Sequence, residues 1–154
     1  MDSRLGLGSA YSLLYGVRKP EELLDKAVEY GCKTIAVADR NNLYGLHAVQ
    51  QAAEERGLKP LCSVKFVTEK GSVFAIAGDK SAYMRLCEML TLFFKDNRNS
   101  ALRTVSSAIL CSELVRDSSG LVLASSDPFF LDTLAGRCRR LYAALTPRSL
   151  AALP

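Results

Sequence analysis

The stretch KPEELLDKAVEYGCKTIAVAD, residues 19–39, decides the fold class. Its first part reads as an amphipathic helix. Pro20 suits a first helical turn, Glu21 and Glu22 sit where the helix dipole favours negative charge, and Gly31 stands where a left-handed stop belongs. Leu23, Leu24, Ala27 and Val28 give that helix one apolar stripe. The second part, Thr34 to Asp39, is a nearly continuous apolar run, as expected for a strand covered on both sides in a parallel sheet. A helix feeding such a strand predicts an α/β protein.

The same alternation continues outward. LYGLHAVQQAAEERG reads as a second helix ending at Gly57, and LKPLCSVKFV and SVFAIAG as two strands joined by a turn from Thr68 to Gly71, a candidate hairpin. DKSAYMRLCEMLTLFF predicts a helix whose Tyr83, Leu86, Leu90 and Phe93 share one core-facing side. KDNRNSALRTVSS is polar and irregular and reads as a surface loop. A short helix from Ser112 to about Asp117, a buried strand LVLASS, the poorly defined DPFFLDTLAG and a last strand RLYAALT complete the pass. No repeat or low-complexity tract divides the chain, so residues 1–154 read as a single domain.

Composition narrows the function classes. With 49% hydrophobic and 23% charged residues over 154 positions, the chain can bury a real core. It shows neither an apolar run long enough for a bilayer nor the greasy segment of a secretion signal, and a cytoplasmic location is expected. Cys32, Cys62, Cys87, Cys111 and Cys138 form no CxxC pair, which argues for buried free thiols over a zinc knuckle or redox dithiol. The net charge of +4 is mild and spread along the chain, the densest basic group being Arg137, Arg139 and Arg140, followed by Arg148. No basic block announces nucleic-acid binding, although a face assembled by folding is invisible at this level.

LGLGSAYSLLYG, Leu5 to Gly16, invites comparison with a phosphate-cradling glycine loop. A dinucleotide fingerprint needs a third glycine, where this chain has Tyr11, and a helix starting at once, whereas the first helix signal is Pro20. That reading fails.

Together, YSLLYG, KPEELLDKAVEYG, TIAVADRNNLYG, GLKPLCSVKFV and SVFAIAGDKSAYMRLCEMLTLFF resemble, in order, the PHP (polymerase and histidinol phosphatase) domain. The version they are most similar to opens bacterial C-family DNA polymerases, the DNA polymerase III alpha subunit and its error-prone relatives. There the first motif typically reads HxHSxYSLLDG and the second TDHGNLYG. The resemblance spans about Leu5 to Leu145. It implies a distorted TIM-like (β/α)7 barrel of PHP type, here truncated before the last strand or strands, as the N-terminal fragment of a larger DNA polymerase acting in DNA replication, DNA repair or translesion synthesis.

The ligand positions implied by the family depart from its pattern. Gly6 and Gly8 stand at the two histidines, two apart on a strand and so on one side of it. Tyr15 replaces a carboxylate, Arg40 a histidine, Lys65 a glutamate and Ser72 a histidine, leaving Asp39 as the one acid at a ligand position. A lone carboxylate beside fixed cations does not hold zinc or manganese. The expectation is therefore a degenerate metal site with no cofactor, no metal and no catalytic residue. If Arg40 and Lys65 enter the vacated pocket, they either pair with Asp39 or hold an anion such as phosphate or sulfate. His47, outside the matched motifs, reads as a surface or partly packed residue.

The implied role is a scaffold, with the rest of the polymerase chain and a proofreading or accessory subunit as partners and DNA contacted only indirectly. An unclosed barrel would leave a sheet edge open to dimerisation. Two alternatives stand beside this reading: a metal-dependent phosphoesterase or 3′-5′ exonuclease of the PHP family, and a free-standing interaction protein.

Overall fold

The computed structural model describes residues 3–96 and 105–144. The helix and strand of residues 19–39 form as read. Helix α1 (Pro20–Glu29) has Pro20 in its first turn with Glu21 and Glu22, and the chain leaves it through Gly31 at φ +68°. Strand β2 (Thr34–Arg40) buries Ile35 through Asp39 without interruption.

Strand β1 (Ser3–Leu7) precedes α1, and helix α2 (Leu46–Glu55), strand β3 (Lys59–Thr68) and strand β4 (Gly71–Ala77) follow β2. Helix α3 (Lys80–Asp96), helix α4 (Ser107–Arg116), strand β5 (Leu121–Ser125), helix α5 (Pro128–Leu134) and strand β6 (Leu141–Ala143) complete the described chain. The six strands lie side by side in sequence order. β1, β2 and β3 run parallel; β4 is antiparallel to both β3 and β5; β6 runs parallel to β5. The hairpin expected at Thr68 to Gly71 is the β3–β4 pair, with Thr68 opposite Gly71.

The helices cover one face of this sheet. α1 and α2 bury Leu24, Ala27, Val49 and Ala53 against Ile35 and Val37. The outward residues of β3, β4 and β5 (Val64, Phe66, Val73, Ala75, Leu121, Leu123) meet Leu86, Met89, Leu110, Leu114, Phe130 and Leu134. At roughly 25 cal/mol per Å² of apolar area, this second cluster dominates the burial energy. The opposite face carries Ala38, Arg40, Lys65, Val67, Ser72 and Phe74, as the pairing of Arg40 with Lys65, of Val67 with Ser72 and of Lys65 with Phe74 requires.

Several expectations need correction. The sheet is not closed into a barrel among the described residues, because β1 and β6 each have a strand on one side only. The short helix expected from Ser112 begins at Ser107, since the Glu69 carboxylate accepts hydrogen bonds from the Ser107 amide at 3.2 Å and from its hydroxyl, capping the first turn from across the hairpin. DPFFLDTLAG contains α5, a seven-residue helix too short for periodicity to reveal; Phe130 and Leu134, one turn apart, bury it. Val28 and Tyr83, placed on apolar stripes by spacing, are 47% and 36% exposed. The loop KDNRNSALRTVSS falls largely outside the described residues. No described helix is long and apolar enough to cross a membrane.

Candidate functional site

A cavity of about 520 Å³ opens at the ends of β2 and β3, lined by Gly8, Tyr15, Arg40, Lys65, Ser72 and Asp127 among others. Five positions singled out from the sequence therefore converge, and one acid, Asp127, joins them unforeseen. It escaped notice because it stands 55 residues beyond Ser72, whose backbone N–H donates to its carboxylate at 2.7 Å. The only local signal was Pro128 after it, a helix start.

The geometry of the first two glycines differs from the expectation. β1 ends at Leu7, so Gly8 lies just beyond the strand, and pairing with β2 slips between Leu5 and Leu7, at Gly6. Alternation therefore does not place both on one side of a regular strand. Gly8 still borders the cavity, and a β-carbon there would meet nothing nearer than the Ser12 hydroxyl at 3.4 Å.

Asp39 faces the other way. Neighbours on a strand alternate, and with Arg40 turned into the cavity, Asp39 points to the helix side. There its buried carboxylate accepts hydrogen bonds from the Ser9 amide at 2.8 Å, the Ser9 hydroxyl at 3.0 and 2.9 Å, and the Ser12 hydroxyl at 2.7 Å. Ser12 in turn accepts from the Arg40 amide at 3.0 Å. The expected ion pairing of Arg40 and Lys65 with Asp39 is thus overturned. Three closer serine donors satisfy the acid on the far side of the strand, and no described ion pair involves either cation.

The two cations rest on aromatic rings. The Arg40 guanidinium lies 4.0 Å from the Tyr15 ring centre and the Lys65 ammonium 5.1 Å from that of Phe74. Behind them Asn41, at φ +52°, takes the left-handed conformation that asparagine tolerates. Its side chain donates to the Val67 carbonyl at 3.1 Å and accepts from the Val67 amide at 2.7 Å, locking the loop after β2 onto β3.

The donor set does not fit the metal cluster that the family pattern implies. Among the described residues no group of three or more His, Cys, Asp or Glu side chains is placed to hold an ion. The mouth offers one carboxylate, several hydroxyls and two cations, where a hydrolytic zinc or manganese site needs several imidazole or carboxylate ligands per ion. His47 is exposed on α2 and absent from the cavity lining. The cysteines are all free, with Cys32, Cys111 and Cys138 buried and Cys62 and Cys87 partly so. Burial, with Cys87 nearby, pushes the Cys62 thiol up to about 12, which keeps it protonated and unreactive at neutral pH.

The described chain is an open α/β sheet with helices on one face and a mouth at the ends of its first strands. The PHP domain family model matches residues 5–140, and the chain belongs to that family. It is 28% identical over 152 residues to error-prone DNA polymerase 1 of Agrobacterium fabrum, which covers 98% of this chain and 14% of that protein. It is 43% identical over 67 residues to the DNA polymerase III subunit alpha of Buchnera aphidicola, covering 42% of this chain and 6% of that one. The chain thus spans a small part of these curated relatives. Among solved structures, a two-domain protein from Bacteroides vulgatus containing a predicted PHP-like metal-dependent phosphoesterase superposes with TM-score 0.56 at 13% identity, over 98% of this chain and 40% of that one.

Proposed function

We propose that this chain is a catalytically inactive, metal-free PHP domain of a DNA polymerase III alpha-type or error-prone polymerase subunit, serving as a scaffold for the polymerase body or a partner subunit. The observation that carries this reading is the side-chain chemistry of the mouth. Where a hydrolytic site needs converging anionic or imidazole donors, Gly8, Tyr15, Arg40, Lys65 and Ser72 supply none, and two of them add positive charge. The serine cage around Asp39 supports the same conclusion, since it commits the one family acid that remains to holding the segment after β1. The polymerase assignment is supported by relatives whose much longer chains contain this domain.

A second reading concerns the mouth itself. Arg40 and Lys65 face a cavity without a carboxylate in ion-pairing reach, so the pocket suits a small oxyanion such as phosphate or sulfate, with Asp127 restricting its approach from one side.

The test combines metal analysis with anion titration. After dialysis against zinc and manganese, the purified chain is expected to hold far less than one ion per molecule and to leave an end-labelled oligonucleotide uncut. Inorganic phosphate at about ten times its Kd is expected to stabilise the chain by about 1.4 kcal/mol, raising Tm by several degrees, and R40A/K65A to abolish that shift. Stoichiometric metal with DNA trimming lost in D127A would refute the inactive assignment; an absent phosphate shift would refute the anion pocket alone.

A further inference from the structure

A second cavity, of about 610 Å³, lies at the opposite end of the sheet, where β5 and β6 begin and β4 ends. Its walls are residues 115–121 and the turn between α5 and β6, including Arg116, Arg137, Arg139 and Arg140. In sequence Arg116 stands well apart from the other three, which fall within four consecutive positions. Folding brings them to one hollow.

The turn is built to present its arginines. Cys138 is buried and directs its thiol to the Leu114 carbonyl at 3.6 Å, which pins the middle of the turn to α4. Gly136, at φ +70°, reverses the chain after α5. Arg137, Arg139 and Arg140 on either side of this anchor are exposed. The Arg140 backbone carbonyl accepts from the Leu123 amide at 2.8 Å, and its guanidinium lies over Gly78, within 3.5 Å of where a β-carbon would stand. Gly78 itself donates to the carbonyl of Gly120, which lines the hollow, at 3.0 Å.

The hollow carries an excess of positive charge, with four arginines and one acid, Asp117, in its lining. Glu113, the nearest acid on α4, is held between Arg85 at 2.7 Å and Arg116 at 2.6 Å. Asp117, which lines the hollow, accepts from the Ser119 amide at 2.9 Å, and Asp79, beside Gly120, accepts from the Ala82 amide at 2.8 Å at the start of α3. No described ion pair engages Arg137, Arg139 or Arg140.

We propose that this hollow binds the phosphodiester backbone of single-stranded nucleic acid. Guanidinium groups pair with phosphate oxygens through two parallel hydrogen bonds, and three arginines in four residues suit consecutive phosphates along one strand. A duplex, whose major groove alone is about 12 Å wide, is too broad to enter a recess of this size. A membrane surface is a poorer fit because the cations line a concavity, where a flat headgroup layer reaches fewer of them than a single strand does. No aromatic side chain lines the hollow, so base stacking is absent and binding is sequence-independent and salt-sensitive. The inference stands on this pole alone and does not depend on the state of the mouth.

Anisotropy of fluorescein-labelled oligothymidylate with the intact chain tests it. Three phosphate contacts predict a log–log salt slope of about −2. R137Q/R139Q/R140Q is expected to weaken binding at least about tenfold and carry the slope toward zero, while K26Q/K33Q, which removes two exposed cations that line neither cavity, leaves both unchanged. Circular dichroism checks the fold; if the triple variant is perturbed through Arg140, R137Q/R139Q removes only exposed groups and is expected to lose about two thirds of the slope. Unaltered binding in the folded arginine variants, no binding at low salt, equal loss in K26Q/K33Q, or tighter capture of phosphatidylserine vesicles or a phosphopeptide than of the oligonucleotide would each overturn the proposal.

Discussion

Gly8 and Gly16 look equivalent in LGLGSAYSLLYG, and their surroundings separate them. A β-carbon on Gly8 meets only ordinary contact, whereas one on Gly16 would fall on the Ser9 carbonyl. Gly16 is therefore required by chain closure, its amide donating to the Ser12 carbonyl at 2.8 Å to complete the turn around the Asp39 cage. Gly8 answers no such demand. Urea denaturation is expected to place Gly8→Ala within about 0.5 kcal/mol of the parent, and Gly16→Ala at least about 2 kcal/mol below it. Equal effects would contradict the distinction. At this scale the sequence named the positions, but the side of the strand on which Asp39 lies came from its serine partners, 27 and 30 residues away.

Between elements, α3 and α4 are joined by an ionic network around Arg85, whose side chain is only 7% exposed. It donates to the Glu113 carboxylate at 2.7 Å and to the Glu113 and Asp117 carbonyls at 2.9 and 3.3 Å. The hydrogen bond from Arg85, with a further one from Arg116, holds the Glu113 carboxyl below the usual carboxylate range. A carboxyl lowered on folding contributes stability above its unfolded value, about 4.3, and that contribution is lost as pH falls through the folded value. Glu113→Gln is accordingly expected to cost about 2 kcal/mol at neutral pH, with the gap to the parent closing below about pH 4. A gap that is constant with pH would show that the charge plays no part. None of this pairing follows from spacing along the chain, since Arg85 and Glu113 are 28 residues apart.

For the molecule as a whole, the edges at β1 and β6, each open among the described residues, are features that a second copy would cover. We propose that isolated chains dimerise along such an edge, so light scattering is expected to give twice the monomer mass; a monomer at every concentration would contradict this. The two cavities lie at opposite ends of the sheet, so substitutions in one leave the lining of the other untouched.

The sequence by itself determined the α/β alternation, the hairpin and the family. Those are properties of local period and residue type, written one position at a time. Only the tertiary structure decided that Ser9 and Ser12 enclose Asp39, that Asp127 enters the mouth, that the described sheet stays open and that four arginines share a hollow. Each depends on contacts between residues far apart in the chain, whose side-chain directions are fixed by strand register and by buried anchors such as Cys138.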